Sequence, residues 1–307
     1  MTRAPVRDST LLGGTRPLNA TSHRSQWRLA FRVFRRNRLA ALGLMLLATL
    51  VVVTLLAPVL APASPVQIDL SQKLVPPGPS HAFGTDHFGR DMLSRLLHGA
   101  RVSLAVGLVV IAISMSLGVP LGLLAGYHGG TVDHVIMRIV DGLLTFPPFL
   151  LAVAIMGSLG QELRNVMLAL GLVYTPVFAR LVRGSTLAVR EELYVSAAVA
   201  VGANSSRILL RYVLPNVLAP IVVQATVSFS QAILAEASLS FLGLGTQPPN
   251  PSWGRDLSEA RRYLVDAPWL VLFPTLAIML SVLSVNFIGD GLRDALDPRT
   301  RLQRETL

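Results

Sequence analysis

The chemistry open to this 307-residue chain is bounded by a short inventory: six histidines, seventeen carboxylates, no cysteine, and Lys73 as its single lysine. Without cysteine there is no thiol nucleophile, disulfide framework or thiolate metal site. Lys73 stands in Gln72-Lys73-Leu74, lacking the glycines that cradle a phosphate and the hydroxyl that holds Mg²⁺, so the chain is not its own P-loop ATPase. Neither a His-Glu-x-x-His zinc helix nor a Gly-x-Ser-x-Gly nucleophile elbow occurs. His81, His87 and His98 share one segment, but their irregular spacing on a loop reads as solvated or structural histidines rather than a metal centre. The expectation is a chain with no catalytic residue, no metal ligand and no cofactor of its own.

One carboxylate is conspicuous. Glu236 sits in the apolar run Ala235-Glu236-Ala237-Ser238, where an ionisable group is costly unless it is paired or faces water. Gln224 and Gln231 lie seven residues apart on the same run and so share roughly one helix face. The three together are the candidate lining of an aqueous translocation path. The competing readings for Glu236 are a hydrogen bond to a neighbouring helix or a position near the outer interface. Asp141 has Arg138 at helical spacing, which suggests a local ion pair.

The surroundings of these residues are those of a membrane protein. Hydrophobic residues make up 52% of the chain and charged residues only 14%, against about 25% charged in a soluble domain. A bilayer core needs about 20 mostly apolar residues per helix. Six runs meet this, at roughly 39–61, 102–127, 136–159, 164–183, 217–243 and 269–289. Lipid forbids unsatisfied backbone groups, so the expected fold is all-α with six transmembrane helices. The net charge of +10 sits between apolar runs and not along a stripe of a polar domain, which argues against nucleic acid.

Basic residues near the span ends set the orientation. Arg24, Arg28, Arg32, Arg35, Arg36 and Arg38 precede the first span. Arg180, Arg183, Arg190, Arg207 and Arg211 lie around the connection between spans four and five, and Arg293, Arg299, Arg301 and Arg304 follow the sixth. All three groups fall on one side if both termini are cytoplasmic. The opposite loops hold fewer basic residues, offset by Asp69, Asp86, Asp91, Asp256, Glu259 and Asp266. The expected organisation is a cytoplasmic tail over 1–38, a first helix over 39–61 and an extracytoplasmic loop over 62–101. A five-helix core over 102–290 and a tail over 291–307 complete it. Ala61-Pro62-Ala63 and Arg35-Arg36 superficially match a signal-peptidase site and a twin-arginine signal, but an uncleaved first helix is the simpler reading. Arginine in place of lysine, with abundant alanine, hints at a GC-rich bacterial genome.

Two patterns bear on assembly. Gly118, Gly122 and Gly126 recur every four residues on one face of the second span, bent by Pro120, and predict a close helix–helix seam within the chain or with a partner subunit. Between spans four and five, residues 192–215 read as two short amphipathic helices broken at Gly202-Ala203-Asn204, with Ser205 as cap and Pro215 at the return to the membrane. A short helix lying across the mouth of a bundle is a suitable lever for tilting the spans it joins.

This segment resembles the coupling loop of ABC importer permeases, Glu-Ala-Ala, three residues, Gly, nine residues, Ile-x-Leu-Pro. Ala197, Ala198, Gly202, Leu214 and Pro215 match at the right spacing, while Ser196 replaces the acidic residue and Tyr212 the Ile-like one. Glu192, one helical turn earlier, is placed to substitute in part. Three more blocks resemble the dipeptide/oligopeptide/nickel permease family: Gly84-Thr85-Asp86-His87-Phe88-Gly89-Arg90-Asp91 through Arg101, Phe241 through Gly254, and Asn286 through Arg299. The combination is similar to the C-type permease of that family. The resemblance implies the type I importer permease fold in the cytoplasmic membrane of a bacterium. It also implies a distinct B-type permease as partner, two separate subunits that bind ATP and Mg²⁺, and an extracytoplasmic substrate-binding protein. Glu192, Ser196, Ala197, Ala198, Gly202, Leu214 and Pro215 would couple to the ATPase. The implied cargo is a di- or oligopeptide; nickel chelates or another small solute on the same architecture, and more distantly a secondary transporter, are the alternatives.

Overall fold

The long apolar runs wind into helices whose ends are set by recognisable caps. The computed structural model describes residues 33–35 and 37–296 and is all-helical apart from one isolated antiparallel bridge between Thr85 and Asp91. Helix α1 (Arg38–Leu55) starts where the Asn37 side chain accepts from the Leu39 and Ala40 amides, and a short turn α2 (Ala57–Leu60) follows it. The Arg101 guanidinium donates to the Thr54 and Leu55 carbonyls, satisfying acceptors that the end of α1 leaves open. Helix α3 spans Met92–His128, α4 Gly130–Thr145, α5 Pro148–Leu159 and α6 Leu163–Arg190. Two small helices, α7 (Leu193–Ala200) and α8 (Ser205–Ile208), lead through a π-helical turn at Leu209–Val213 into α9 (Leu214–Phe241). A short α10 (Trp253–Ala260) precedes α11 (Trp269–Leu296).

Five of these helices are long and apolar enough to cross a membrane, and the α4–α5 pair makes a sixth span if its two limbs count as one. The single helix expected over 136–159 is instead two helices meeting at 95°. The cause is Pro147-Pro148: neither proline has an amide hydrogen to donate, and a proline forces the residue before it out of helical geometry. The second span also differs from expectation. It begins at Met92, capped by Asp91 accepting from the Ser94 amide, so residues 92–101 are helix and not loop. At 1.5 Å per residue α3 is about 55 Å long, well beyond a hydrocarbon core of about 30 Å. The expected tails before residue 33 and after residue 296, with Arg24, Arg28, Arg32, Arg36, Arg299, Arg301 and Arg304, lie outside the described residues.

The bundle is organised around α3 and α6, its most extensive helix pair. A Cβ added to Gly118 would meet the Thr175 carbonyl oxygen at 2.6 Å, one at Gly122 the Ala179 oxygen at 2.5 Å, and one at Gly126 the Thr186 Cβ at 2.7 Å. The glycine face is therefore a seam within the chain. Backbones that approach this closely gain dispersion contacts that lipid does not replace. The Ser114 hydroxyl, donating to Gly171 O at 2.8 Å, pins the same pair. Helix α9 packs on α3, α6 and α11, while α1 lies peripherally against α11 and α3.

Candidate functional site

Two opposite ends of the bundle carry structure beyond spanning helices. At one end lies the segment 191–215. Val195, Ala198, Ile208, Leu209 and Val213 are buried with Phe178, Val182, Val217 and Ile221 of α6 and α9 in a common apolar cluster. This anchors α7 and α8 to the spans on either side of them. Helix α7 ends with the Gly202 amide donating to Val199 O at 2.9 Å and the Ala203 amide to Ala198 O at 3.1 Å, the paired bonds of a Schellman stop. Gly202 holds φ +81° there, a conformation that a side chain disfavours. Helix α8 is capped by Asn204, whose side chain accepts from the Arg207 amide at 2.8 Å, and not by Ser205 as expected. The π-helical turn precedes Pro215, whose ring excludes regular α-helical bonding to the residues just before it.

The outward side of this segment carries large apolar side chains among polar ones such as Glu192, Ser196, Arg207 and Arg211. Leu193 is 87% and Val201 84% exposed, and Tyr194, Val199 and Leu210 are exposed too. Glu192, Ser196, Ala197 and Gly202 are exposed, whereas Ala198 is buried and Leu214 and Pro215 are half-buried. The residues singled out by the sequence thus divide into anchors facing the bundle and a surface facing away. No added Cβ at Gly202 would touch anything in this chain within 4 Å.

At the other end, residues 61–91 and 242–268 fold into a cap around buried charge. The Asp86 carboxylate accepts from the Phe88 amide at 2.8 Å, the Arg90 amide at 2.9 Å and Arg90 Nε at 2.5 Å, and Arg90 Nη2 also pairs with Glu259. Arg95 places Nε and Nη2 on Asp256 Oδ1 at 2.9 and 2.5 Å and donates to Pro65 O at 3.1 Å. Arg255 completes the set on Glu259 at 2.9 Å. Asp91 accepts from Ser94 and meets His81 Nδ1 at 3.0 Å. Gly89, at φ +74°, closes the turn within Gly84–Asp91. Trp269 Nε1 donates to Thr85 O, and Trp253 Nε1 to Leu96 O, locking the cap to both long spans.

Burial alone would raise the Glu259 carboxyl, but Arg90 and Arg95 hold it below its ordinary range. Burial pushes the Asp256 carboxyl up against the pull of Arg95. His87 is pushed down by burial, which outweighs the nearby Asp86 and Glu259 carboxylates. Donor atoms of Asp86, His87 and Glu259 lie within 4.8 Å of one another. Because guanidiniums already occupy both carboxylates, the arrangement is an ion-pair network and not a set of ligands awaiting a cation. His98 Nδ1 contacts Ser94 O at 2.9 Å, on its own helix.

The proposed path residues are not brought together. Glu236 is fully buried, accepting from Ser240 Oγ at 2.7 Å and Ser103 Oγ at 3.2 Å. It joins α9 to α3 near the cap, so the neighbouring-helix reading holds for this residue. Gln231 is exposed; Gln224 is half-buried and donates to Ser228 Oγ at 3.1 Å. Asp141 pairs with Arg180 of α6 at 2.5 Å, correcting the expected pairing with Arg138, and Asp133 pairs with Arg183 at 2.5 Å. Between α9 and α11 lies a groove of about 740 Å³ lined by Phe149, Leu234, Phe241, Leu257, Ile278 and Met279, among others. The pairing of Arg90 and Arg95 with α10 leaves no local signal in the sequence, where the partners stand more than 160 residues apart.

Residues 118–302 match the family model described as the binding-protein-dependent transport system inner membrane component. The chain belongs to this permease family. Residues 25–77 of the permease also match the N-terminal transmembrane domain of oligopeptide transport permease C. It is 47% identical over 277 residues to the dipeptide transport system permease protein DppC of Alkalihalophilus pseudofirmus, covering 90% of this chain and 91% of that one. It is 43% identical to the glutathione transport system permease protein GsiD of Pectobacterium atrosepticum, over 91% of this chain and 93% of the relative. Its fold is similar to that of the MetNI methionine ABC transporter in an inward-facing form, with a TM-score of 0.56 at 21% identity, covering 67% of the permease and 98% of that chain. The permease is thus a multi-pass membrane protein of the ABC importer class.

Proposed function

We propose that the permease is one of two membrane-spanning subunits of an ATP-driven importer for di- and oligopeptides in the cytoplasmic membrane of a bacterium. Both termini and the 192–215 segment face the cytoplasm; the cap of residues 61–91 and 242–268 faces outward. Arg180, Arg183, Arg190, Arg207 and Arg211 cluster at the cytoplasmic end, as expected for loops held inside by their positive charge.

The observation that carries this reading is the surface of α7. A helix outside the apolar bundle that is anchored by Val195 and Ala198 yet leaves Leu193 and Val201 in water is built to be covered by another protein. The partner is an ATP-binding subunit, one docking on each of two permease chains, and it supplies the ATP, Mg²⁺ and hydrolysis. Closure of the two ATPases pushes α7 and α8, and the buried anchors pass the movement to α6 and α9. The second permease is a homologous B-type chain seated over the apolar groove between α9 and α11. A binding protein delivers peptide to the cap. The dipeptide and glutathione transport names of the relatives support short peptides as cargo. Gln224 and Gln231 remain proposed contributors to the path, and Glu236 acts by bracing α9 against α3.

The test is purification of the chain from its native membrane in mild detergent. A second six-span permease, P-loop ATPases and peptide-stimulated ATP hydrolysis are expected to accompany it. Recovery of the chain alone, with uptake driven by an ion gradient, would overturn the reading.

A further inference from the structure

We infer that the cap carries a carboxylate-binding pocket that receives an acidic side chain of the extracytoplasmic binding protein, an assignment that rests on the importer reading above. The pocket has a volume of about 630 Å³, and its lining residues include four arginines, Arg90, Arg255, Arg261 and Arg262, against one carboxylate, Glu259. The two groups of arginine have different roles. Arg90 and Arg255 are both committed to Glu259, and Arg90 to Asp86 as well, so they form a fixed floor. Arg261 and Arg262 are exposed and have no ion pair or hydrogen bond among the described residues. They sit in a tight turn, Arg261–Tyr263, that continues directly from α10.

The lining therefore carries uncompensated positive charge. Guanidinium groups match a carboxylate with two parallel hydrogen bonds, and the geometry of a rigid turn reduces the entropy lost on forming them. Phe88 and Tyr263 supply aromatic walls, with the His87 ring 5.1 Å from Tyr263 and the Arg90 guanidinium 4.8 Å from the Phe88 ring centre. The occupant that fits is an Asp or Glu side chain flanked by an apolar or aromatic residue.

Position selects the source of that carboxylate. Helix α10 separates two environments: Leu257 lines the apolar groove between α9 and α11, whereas Ser258 and Glu259 line the basic pocket. The pocket thus opens away from the side where the second permease and the cargo path lie. A basic, aromatic-walled hollow on the outward cap meets a protein docking from outside. Its floor is continuous, through Glu259, with the Arg95–Asp256 pair that ties α10 to α3, so occupancy bears on α3, which runs from the cap to the opposite end of the bundle.

The experiment uses the complete transporter in lipid nanodiscs and the binding protein that co-purifies with it. Binding is followed by biolayer interferometry at about 20 and about 200 mM salt. Arg261→Glu combined with Arg262→Glu is expected to weaken binding about tenfold, chiefly through slower association, and to flatten the salt dependence. ATP hydrolysis measured without the binding protein is expected to stay unchanged, which reports an intact complex. Unaltered affinity and salt slope in the double variant overturn the assignment. Binding of the free dipeptide Ala-Phe, but not its C-terminal amide, to the transporter alone, abolished in the double variant, also overturns it and makes the pocket a cargo site. A wild-type transporter whose ATPase no binding protein stimulates overturns the importer reading itself.

Discussion

Arg95 shows how much the cap depends on single residues. Its side chain is 1% exposed and its partner Asp256 3%. Replacing Arg95 with Met strands a buried carboxylate, and breaking such a pair costs about 3–5 kcal/mol. Thermal unfolding of the purified complex is expected to shift sharply downward, and Asp256→Leu in the same chain is expected to recover most of the loss. His87 gives a pH signature. Its pKa is lowered below 6.5 in the fold, where it faces Asp86, Glu259, Arg90 and Arg95. The unfolded cap takes up a proton that the folded cap refuses, so stability present above about pH 6.5 is lost as pH falls through the folded pKa. Hydrogen-exchange protection of residues 61–91, taken relative to the intrinsic exchange rate at each pH, is expected to fall between about pH 7 and pH 5, and His87→Phe, which keeps a ring against Tyr263, is expected to remove that step. Gly84–Asp91 was legible in the sequence as a unit. Its partners on α10 were not, because no local spacing records a contact between residues 90 and 259.

At the scale of elements, the α3–α6 seam and α7 make opposite predictions for small residues. Gly122→Val drives a side chain into the Ala179 carbonyl, and overpacking of this kind costs about 1–3 kcal/mol. Gly184 on α6 meets nothing within 4 Å, so Gly184→Ala is expected to leave the melting temperature unchanged or slightly raised. A comparable drop for both would show that the seam is not what holds the pair. The four-residue glycine period made this seam readable from sequence. The 95° turn between α4 and α5 is hidden from a hydropathy reading, which averages over a window and passes straight through the break at Pro147-Pro148. The early start of α3 was obscured for the converse reason: Met92–Arg101 is polar enough to resemble a loop, and only the Asp91 cap marks it as helix. Asp141 illustrates a third limit, since a partner on the next helix at 2.5 Å outcompeted the one three residues away.

For the whole molecule, the decisive expectation concerns communication between its ends. Leu193→Asp with Val201→Asp alters two side chains that this chain leaves 87% and 84% exposed. The permease is expected to fold, insert and pair with the proposed second permease normally. Binding of the ATPase subunits, measured by co-purification, and peptide uptake are expected to fall at least about tenfold, since apolar anchors dominate such interfaces. Normal uptake would separate α7 from energy coupling.

The cap also sets an order of events during synthesis. Arg90 and Arg95 leave the ribosome about 160 residues ahead of Glu259 and Asp256. At 5–20 residues per second that is a wait of about 10–30 s. Throughout it the two guanidiniums have no counter-charge from α10. The final closure of the cap is therefore scheduled by translation: the pairs that tie Arg90 and Arg95 to α10 form only after α9 and α10 have both been made.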